Sequence, residues 1–288
     1  MTPPPPGRRA RGPRTALRVQ VRRVERLTPR MTRIVFGGDS LAGFGVGEYS
    51  DHYVKLLFPV PGADYPVPFD LGRIREEQPR DQWPRMRTYT VRHWDARAQE
   101  LSVDFVVHGD EGLAGPWAAQ ATAGDELYLV GPGGGYIPHP EADWHLLVGD
   151  ESALPAIAAS LEYLPSDAEA YVFIEVAGPE EELELACPGK AVIHWLHRGD
   201  SLVGEKLVPA VRALQAPAGR PHAFVHGEAA FVKELRGLLR TEWKVPREQL
   251  SASGYWRAGH DEDGWQASKR QWNHQVEEEQ EGSPSAAS

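Results

Sequence analysis

The 288-residue chain has one cysteine, Cys187, and only three methionines. A lone thiol cannot close an internal disulfide or supply the thiolates of a zinc finger or iron–sulfur cluster. It fits a reducing compartment, so a cytoplasmic setting is expected. Long apolar runs are also missing. The most apolar stretch, residues 153–164, is interrupted by Pro155, Ser160 and Glu162, whereas a spanning helix needs about 20 apolar residues, and no membrane span is expected. Acidic residues are scarce at the start: within residues 1–33 Glu25 stands alone against ten arginines, a net of +9, so the remainder carries −19 of a total of −10. An Arg-rich, acid-poor start can be a targeting sequence, but the apolar segment that a twin-arginine signal requires never follows Arg8-Arg9. Such an arm can also bind nucleic acid. Here Val19, Val21 and Val24 interleave with the arginines, the mark of a half-buried strand, and no nucleic-acid partner is expected.

What is present is the composition of an ordinary globular chain, 41% hydrophobic and 25% charged, long enough for two domains. Neither the opening PPPPG nor the closing EEEQEGSPSAAS shows apolar patterning, so residues 1–14 are read as a disordered arm and 266–288 as an acidic, disordered tail. Residues 15–140 carry short alternating runs rich in β-branched and aromatic residues, at 17–24, 31–36, 52–58, 87–93, 101–108 and 126–130. These are the strands of an antiparallel β-barrel, a closure that leaves few edges exposed. The Pro-rich connection over 59–84, with Arg73, Arg75, Arg80 and Asp81, is too polar to be core and is read as a flexible flap. Within 141–265 the rhythm turns to strand, turn and helix: strands at 144–148, 171–177, 192–196 and 223–226, with helical spacing at 154–164, 201–214 and 228–240. The fold class is therefore α+β in two domains, a barrel followed by a small α/β domain. In a doubly wound sheet ligands settle beyond the carboxyl ends of the strands, here at Gly149-Asp150-Glu151, Ala177-Gly178, His197-Arg198 and Gly227-Glu228. His194 and His197 form H-x-x-H, but on a strand that spacing sends them to opposite faces, so no protein metal site is expected.

Arg87-Thr88-Tyr89-Thr90-Val91-Arg92 sets an aromatic ring beside two hydroxyls and two guanidiniums on one barrel strand, with Arg87, Tyr89 and Val91 on one face. Tyr89 suits a flat ring, Thr90 a ring edge, and Arg87 a pyrophosphate gripped by a forked guanidinium. An exposed strand with a basic edge would read the same way.

Six motifs in order decide between these readings: DHYVKLLFP (51–59), RTYTVR (87–92), DFVVHGDEG (104–112), GDESALPAIAASLEYLP (149–165), HGEAAFVKELRGLLR (226–240) and SGYWRAG (253–259). Over roughly residues 15–265 the chain resembles the siderophore-interacting proteins, FAD-dependent ferric-siderophore reductases of the vibriobactin-utilisation type. The resemblance implies a flavin barrel followed by a nicotinamide-reductase-like domain, and a ferric siderophore as substrate. Electrons would pass from NADPH or NADH through FAD to the iron, with a ferredoxin-type protein as an alternative donor. It also implies that Arg87, Tyr89, Thr90 and Val91 hold the flavin and that Asp104, Val106 and His108 line its adenine or pyrophosphate side.

Family members carry a hydroxyl residue in the turn before a Trp-Ala pair. This chain has Gly115 there, ahead of Trp117, which leaves backbone N–H groups such as those of Ala114 and Gly115, or a nearby arginine, to meet a phosphate. On the nicotinamide side neither G-x-G-x-x-G nor a phosphate-gripping lysine loop occurs, and the glycines of 131–135 are read as a hinge. The expected contacts there are Asp150, Ser152 and Ala153, with Arg198 placed to attract a 2′-phosphate. Trp256 would shield the flavin, and Lys55 and Arg257 would form the cationic contact for an anionic chelate. A general flavin reductase with another acceptor, or a siderophore- or flavin-binding module without turnover, are the competing functions.

Overall fold

The structure, a computed structural model, describes residues 16–109 and 112–281. The arm of residues 1–14 and the last seven residues of the acidic tail lie outside that range. In β1 (Leu17–Thr28) Val19 and Val21 are buried while Arg18, Arg22 and Arg23 point outward, so the basic start is a barrel strand. It turns antiparallel into β2 (Met31–Gly37), and β3 (Tyr53–Phe58) follows.

The connection after β3 is largely exposed but anchored to the barrel by three buried side chains. Asp70 caps α1 (Leu71–Glu77) by accepting from Gly72 N and Arg73 N. Phe69, Leu71 and Ile74 are buried against Leu57 and Val130, and Phe69 stacks on Tyr128 at 4.1 Å. Three apolar side chains anchor a segment whose prolines and charges made it look wholly exposed.

The barrel is completed by β4 (Arg85–Thr90), β5 (His93–Asp95), β6 (Glu100–Val106), α2 (Ala114–Gln120) and β7 (Glu126–Gly133). Its seven antiparallel strands run β4-β3-β7-β1-β2-β6-β5 around a core that includes Ile34, Phe36, Val54, Leu56, Val103, Phe105 and Leu129.

The second sheet is wholly parallel. It is built from β8 (Trp144–Asp150), α3 (Leu154–Glu162), β9 (Glu169–Val176), β10 (Lys190–His197), α4 (Leu207–Arg212), β11 (Pro221–Glu228), α5 (Ala229–Gly237) and β12 (Leu250–Trp256), in strand order β10-β9-β8-β11-β12. Nearly continuous apolar runs such as Trp144–Asp150, buried at every position, follow from helices covering both faces. The two domains meet along a polar seam. Buried Glu181 accepts from Thr28 Oγ1 and from Arg30 N, Arg92 pairs with Glu162 at 2.6 Å, and Ser50 and Ser160 hydroxyls lie 2.9 Å apart.

The tail corrects the reading of disorder over 266–281, because α6 (Glu262–Glu281) runs through it. Trp265 and Val276 are buried, Trp265 Nε1 donates to Tyr255 O at 3.0 Å, and Gln280 Nε2 donates to Lys233 O at 2.8 Å. Residues 265, 269, 272, 276 and 280 fall on one stripe of a 3.6-residue period. Widely spaced side chains, Trp265, Lys269, Val276 and Gln280, hold a helix whose composition is dominated by charge. The helix lies beside β12, one edge of the parallel sheet, and its first turn reaches β4, one edge of the barrel sheet, through the Arg87–Asp263 pair.

Candidate functional site

The site grows from β4. In register, Leu56 opposes Arg87 and Val54 opposes Tyr89, which puts Arg87, Tyr89 and Val91 on the core side, while Thr88 opposes Lys55 and Thr90 opposes Tyr53 on the other. Tyr89 lies on Phe105 with ring centroids 4.4 Å apart, and its burial raises the phenol well above the usual tyrosine range. Arg87 is 9% exposed; its guanidinium donates to Met86 O and forks onto Asp263 of α6 at 2.8 and 3.3 Å. Thr90 meets the phenol of Tyr255.

The facing wall is β12. On alternate positions Ser251 Oγ lies 2.9 Å from His226 Nε2, Ser253 Oγ accepts from Lys269 Nζ at 3.2 Å, and Tyr255 reaches Thr90. Half-buried Arg257 follows two residues later. Tyr53 stands near Tyr255, and Lys55 near Lys269, which donates to Ser253, so Lys55 lies toward Ser253, two residues before Tyr255.

Asp150 is fully buried at the carboxyl end of β8. Its carboxylate accepts from Ser152 N, Ser152 Oγ, Glu228 N and Trp256 Nε1, at 2.9, 2.5, 2.9 and 2.8 Å. Burial, reinforced by Glu151, pushes its pKa up to about 6. Gly227, at φ +137, is required here, since a Cβ would stand 2.8 Å from the Asp150 carboxyl carbon.

Several expected contacts have other partners. Asp104 forks onto Arg33 at 2.6 and 2.8 Å, bracing β6 against β2. Arg198 pairs with Glu151 at 2.6 Å and Glu175 at 3.4 Å, so it neutralises buried carboxylates. Trp117 packs against Phe36, Phe58 and Phe105, and Ala114 is buried beneath it in the barrel core. Ala153 is a buried spacer beside Gly149, Ser152 turns its hydroxyl to Asp150, and Val106 packs into the seam between the domains. His108 is exposed. At Gly115 a Cβ would meet Val106 O at 3.2 Å, so a serine there must push a strand carbonyl. Of the glycines read as a hinge, Gly131 and Gly133 belong to β7, where Gly133 pairs with Tyr53, and Gly134 and Gly135 follow it.

Ser253, Tyr255, Glu262, Asp263 and Lys269 are site residues that motif reading missed. The signal for Lys269 was helical spacing from Trp265 onward, masked by the glutamates; Glu262 and Asp263 open the same helix.

The donor set fits a flavin dinucleotide. Arg87 already takes two oxygens of one carboxylate in a fork, the geometry a phosphate demands. Thr88 and Tyr89 share its strand. His52, whose carbonyl accepts from Val91 N at the end of β4, has a buried Nε2 without a hydrogen-bond partner, as does His226 at Nδ1. No cluster of three metal-ligating side chains occurs among the described residues, and no described helix is long and apolar enough to cross a membrane.

Residues 20–136 match the family model for the siderophore-interacting FAD-binding domain, and 142–259 that for the siderophore-interacting protein. The ferric vibriobactin reductase of Vibrio cholerae is 36% identical over 248 residues, covering 83% of this chain and 88% of that one. The NADPH-dependent ferric-chelate reductase of Escherichia coli is 34% identical over 243 residues, covering 83% and 91%. The crystal structure of a siderophore utilization protein from T. fusca superimposes with a TM-score of 0.75 at 39% identity, covering 87% of this chain and 95% of that one.

Proposed function

Since the chain belongs to the siderophore-interacting protein family, we propose that it is an FAD-dependent oxidoreductase that reduces ferric iron held by a siderophore, with NADPH or NADH as electron donor. The observation that carries this reading is the barrel edge: a buried guanidinium and a ring on the core side of β4, and on its other side the hydroxyl of Thr90 turned to Tyr255 of the parallel-sheet domain. A reduced nicotinamide is assigned as donor in preference to a ferredoxin-type protein because the E. coli relative is named as NADPH-dependent.

Bound FAD supplies the conversion between the two electrons of a reduced nicotinamide and the single electrons that ferric iron accepts. The protein's own residues position and tune. Arg87 would meet the pyrophosphate, Tyr89 would flank the ring, and the hydroxyl of Thr90 would meet its edge. Asp150 fixes Trp256 through the 2.8 Å indole hydrogen bond, so that the indole stands at a set angle over the seam. No side chain needs to move a proton for the electron step.

Lys55 and Arg257 supply positive charge where an anionic chelate approaches. Outside its basic start the chain is strongly acidic, so without local cations such a substrate would be repelled. Purified protein should be yellow with noncovalent FAD. Lys55→Glu or Arg257→Glu should raise KM for a trianionic ferric tris-catecholate far more than for a neutral ferric tris-hydroxamate, with the gap narrowing as salt rises. Equal losses for both chelates would reject this assignment.

A further inference from the structure

At the ligand rim of the parallel sheet the side chain of Glu228 is 3% exposed, and both its oxygens are taken by backbone N–H groups. Oε2 accepts from Ala230 N and Phe231 N at 2.6 and 3.4 Å, which caps α5. A cap is complete with one oxygen. The other, Oε1, accepts from Ala258 N at 3.2 Å, beyond the end of β12.

A bulge brings that segment within reach. Gly227 pairs with Gly254 but Glu228 pairs with Trp256, so β12 carries one extra residue, Tyr255, and the chain after it is re-aimed. Trp256 Nε1 meets Asp150 Oδ2 at 2.8 Å, the oxygen that also accepts from Glu228 N at 2.9 Å. Arg257 therefore lies between two anchored positions, Trp256 on Asp150 and Ala258 on Glu228. It is half-buried, and its guanidinium makes no hydrogen bond or ion pair among the described residues. The chain then folds back: His260 N donates to Arg257 O at 3.1 Å, and Gly259 at φ +76 gives the turn over residues 257–260 its type II form. The guanidinium is held by its backbone alone, and that backbone is fixed by two buried carboxylates.

An arginine loses much rotamer freedom when it grips an anion, so a backbone already in place keeps the grip favourable. Glu228 supplies that placement without pairing with the guanidinium, because three N–H groups occupy its oxygens. We propose that Glu228 is a positioning residue for the ferric chelate, acting through Ala258 to hold Arg257 ready for an anionic ligand. This rests on the assignment of Arg257 to the chelate and adds to it the residue that presents it. The bond made by Oε1 serves the chelate, and the bonds made by Oε2 serve the helix.

Two substitutions separate the two duties. Aspartate is a strong N-cap but one methylene shorter, so Glu228→Asp keeps the cap of α5 and gives up Ala258. Ala258→Pro leaves Glu228 intact and removes only the donated N–H, since proline suits the second position of a type II turn. The full-length holoprotein is titrated calorimetrically with gallium(III) complexes, which keep the charge and shape of the ferric chelates but cannot be reduced. The probes are a trianionic tris-catecholate and a neutral tris-hydroxamate. Each variant should weaken the trianion about fivefold and leave the neutral complex within about twofold, the scale of coupling between residues of one network. Arg257→Met should weaken the trianion as well, and in that background neither Glu228→Asp nor Ala258→Pro should weaken it further. If Arg257→Met weakens the trianion while the other two leave it unchanged, or weaken it equally in the Arg257→Met background, Glu228 is a helix cap only; the proposal is overturned and the assignment of Arg257 stands. If Arg257→Met leaves the trianion unchanged, the assignment of Arg257 fails and the proposal falls with it.

Discussion

The guanidinium of Arg87, on the edge strand of the barrel, is forked onto the carboxylate of Asp263, at the start of the C-terminal helix, with contacts of 2.8 and 3.3 Å. The residue assigned to the flavin pyrophosphate thus has an internal anion beside it, and the two anions compete for one fork. Arg87→Ala should weaken FAD retention by the equivalent of about 1.5–3 kcal/mol, the range for a hydrogen bond to a charged group. Asp263→Asn should strengthen it. Equilibrium dialysis with flavin fluorescence reads both, and unchanged FAD affinity in Arg87→Ala would reject the placement.

Arg198 is expected to act on stability and not on the choice of nicotinamide. Its side chain neutralises Glu151 and the fully buried Glu175. Arg198→Ala leaves those carboxylates buried without a cation and should cost about 3–5 kcal/mol in chemical denaturation. A variant of wild-type stability that exchanges NADPH for NADH preference would restore the expectation drawn from sequence.

Trp265 tests whether α6 is part of the folded core. It is fully buried and donates to Tyr255 O. Trp265→Ala should lower the unfolding free energy by about 3–5 kcal/mol, as for large-to-small changes in packed cores. A loss below about 1 kcal/mol, the scale of changes at surface positions, would return the helix to the status of a loose tail.

Acid should destabilise the protein through three buried histidines. Burial pushes His145 and His222 down to about 4 and His226 down to about 3. Unfolded histidine titrates near 6.5, so their contribution is whole above that pH and is lost as pH falls through 4 to 3. Asp150 works in the opposite sense: raised to about 6, its contribution is present below the ordinary carboxylate range and lost as pH rises through 6. Glu262, raised by burial, works with Asp150, and Asp95, lowered by backbone hydrogen bonds, works with the histidines; four groups against two leave a net fall in stability on acidification from pH 6.5 to 4, each histidine adding up to about 1.4 kcal/mol per pH unit. Both ring nitrogens of His145 lack hydrogen-bond partners. His145→Phe should therefore reduce the slope of unfolding free energy against pH by about one proton, and an unchanged slope would contradict this.

Much of the architecture was legible because it depends on local alternation. Val19 and Val21 between arginines mark β1, and the continuous apolar run of β8 marks a strand buried on both faces. The RTYT strand and the GYWRAG segment were likewise visible as residue types in order. What could not be read were partnerships made by register and by long-range packing. Nothing local tells that Asp104 stands opposite Arg33, or that Arg198 finds Glu151 and Glu175 across a parallel sheet. The helix over Glu262–Glu281 was hidden for a different reason. Its buried stripe is narrow, and it is stabilised by two sheet edges rather than by its own composition.

The central claim is electron transfer from a reduced nicotinamide to siderophore-bound ferric iron through the flavin of this chain. Anaerobic stopped-flow absorbance tests it most directly. NADPH or NADH should bleach the flavin absorbance, and subsequent mixing with a ferric tris-catecholate should restore it, with ferrous iron captured by a colorimetric chelator in proportion to the electrons delivered. A flavin that either donor leaves oxidised, or that stays reduced in the presence of ferric chelate, would contradict the account.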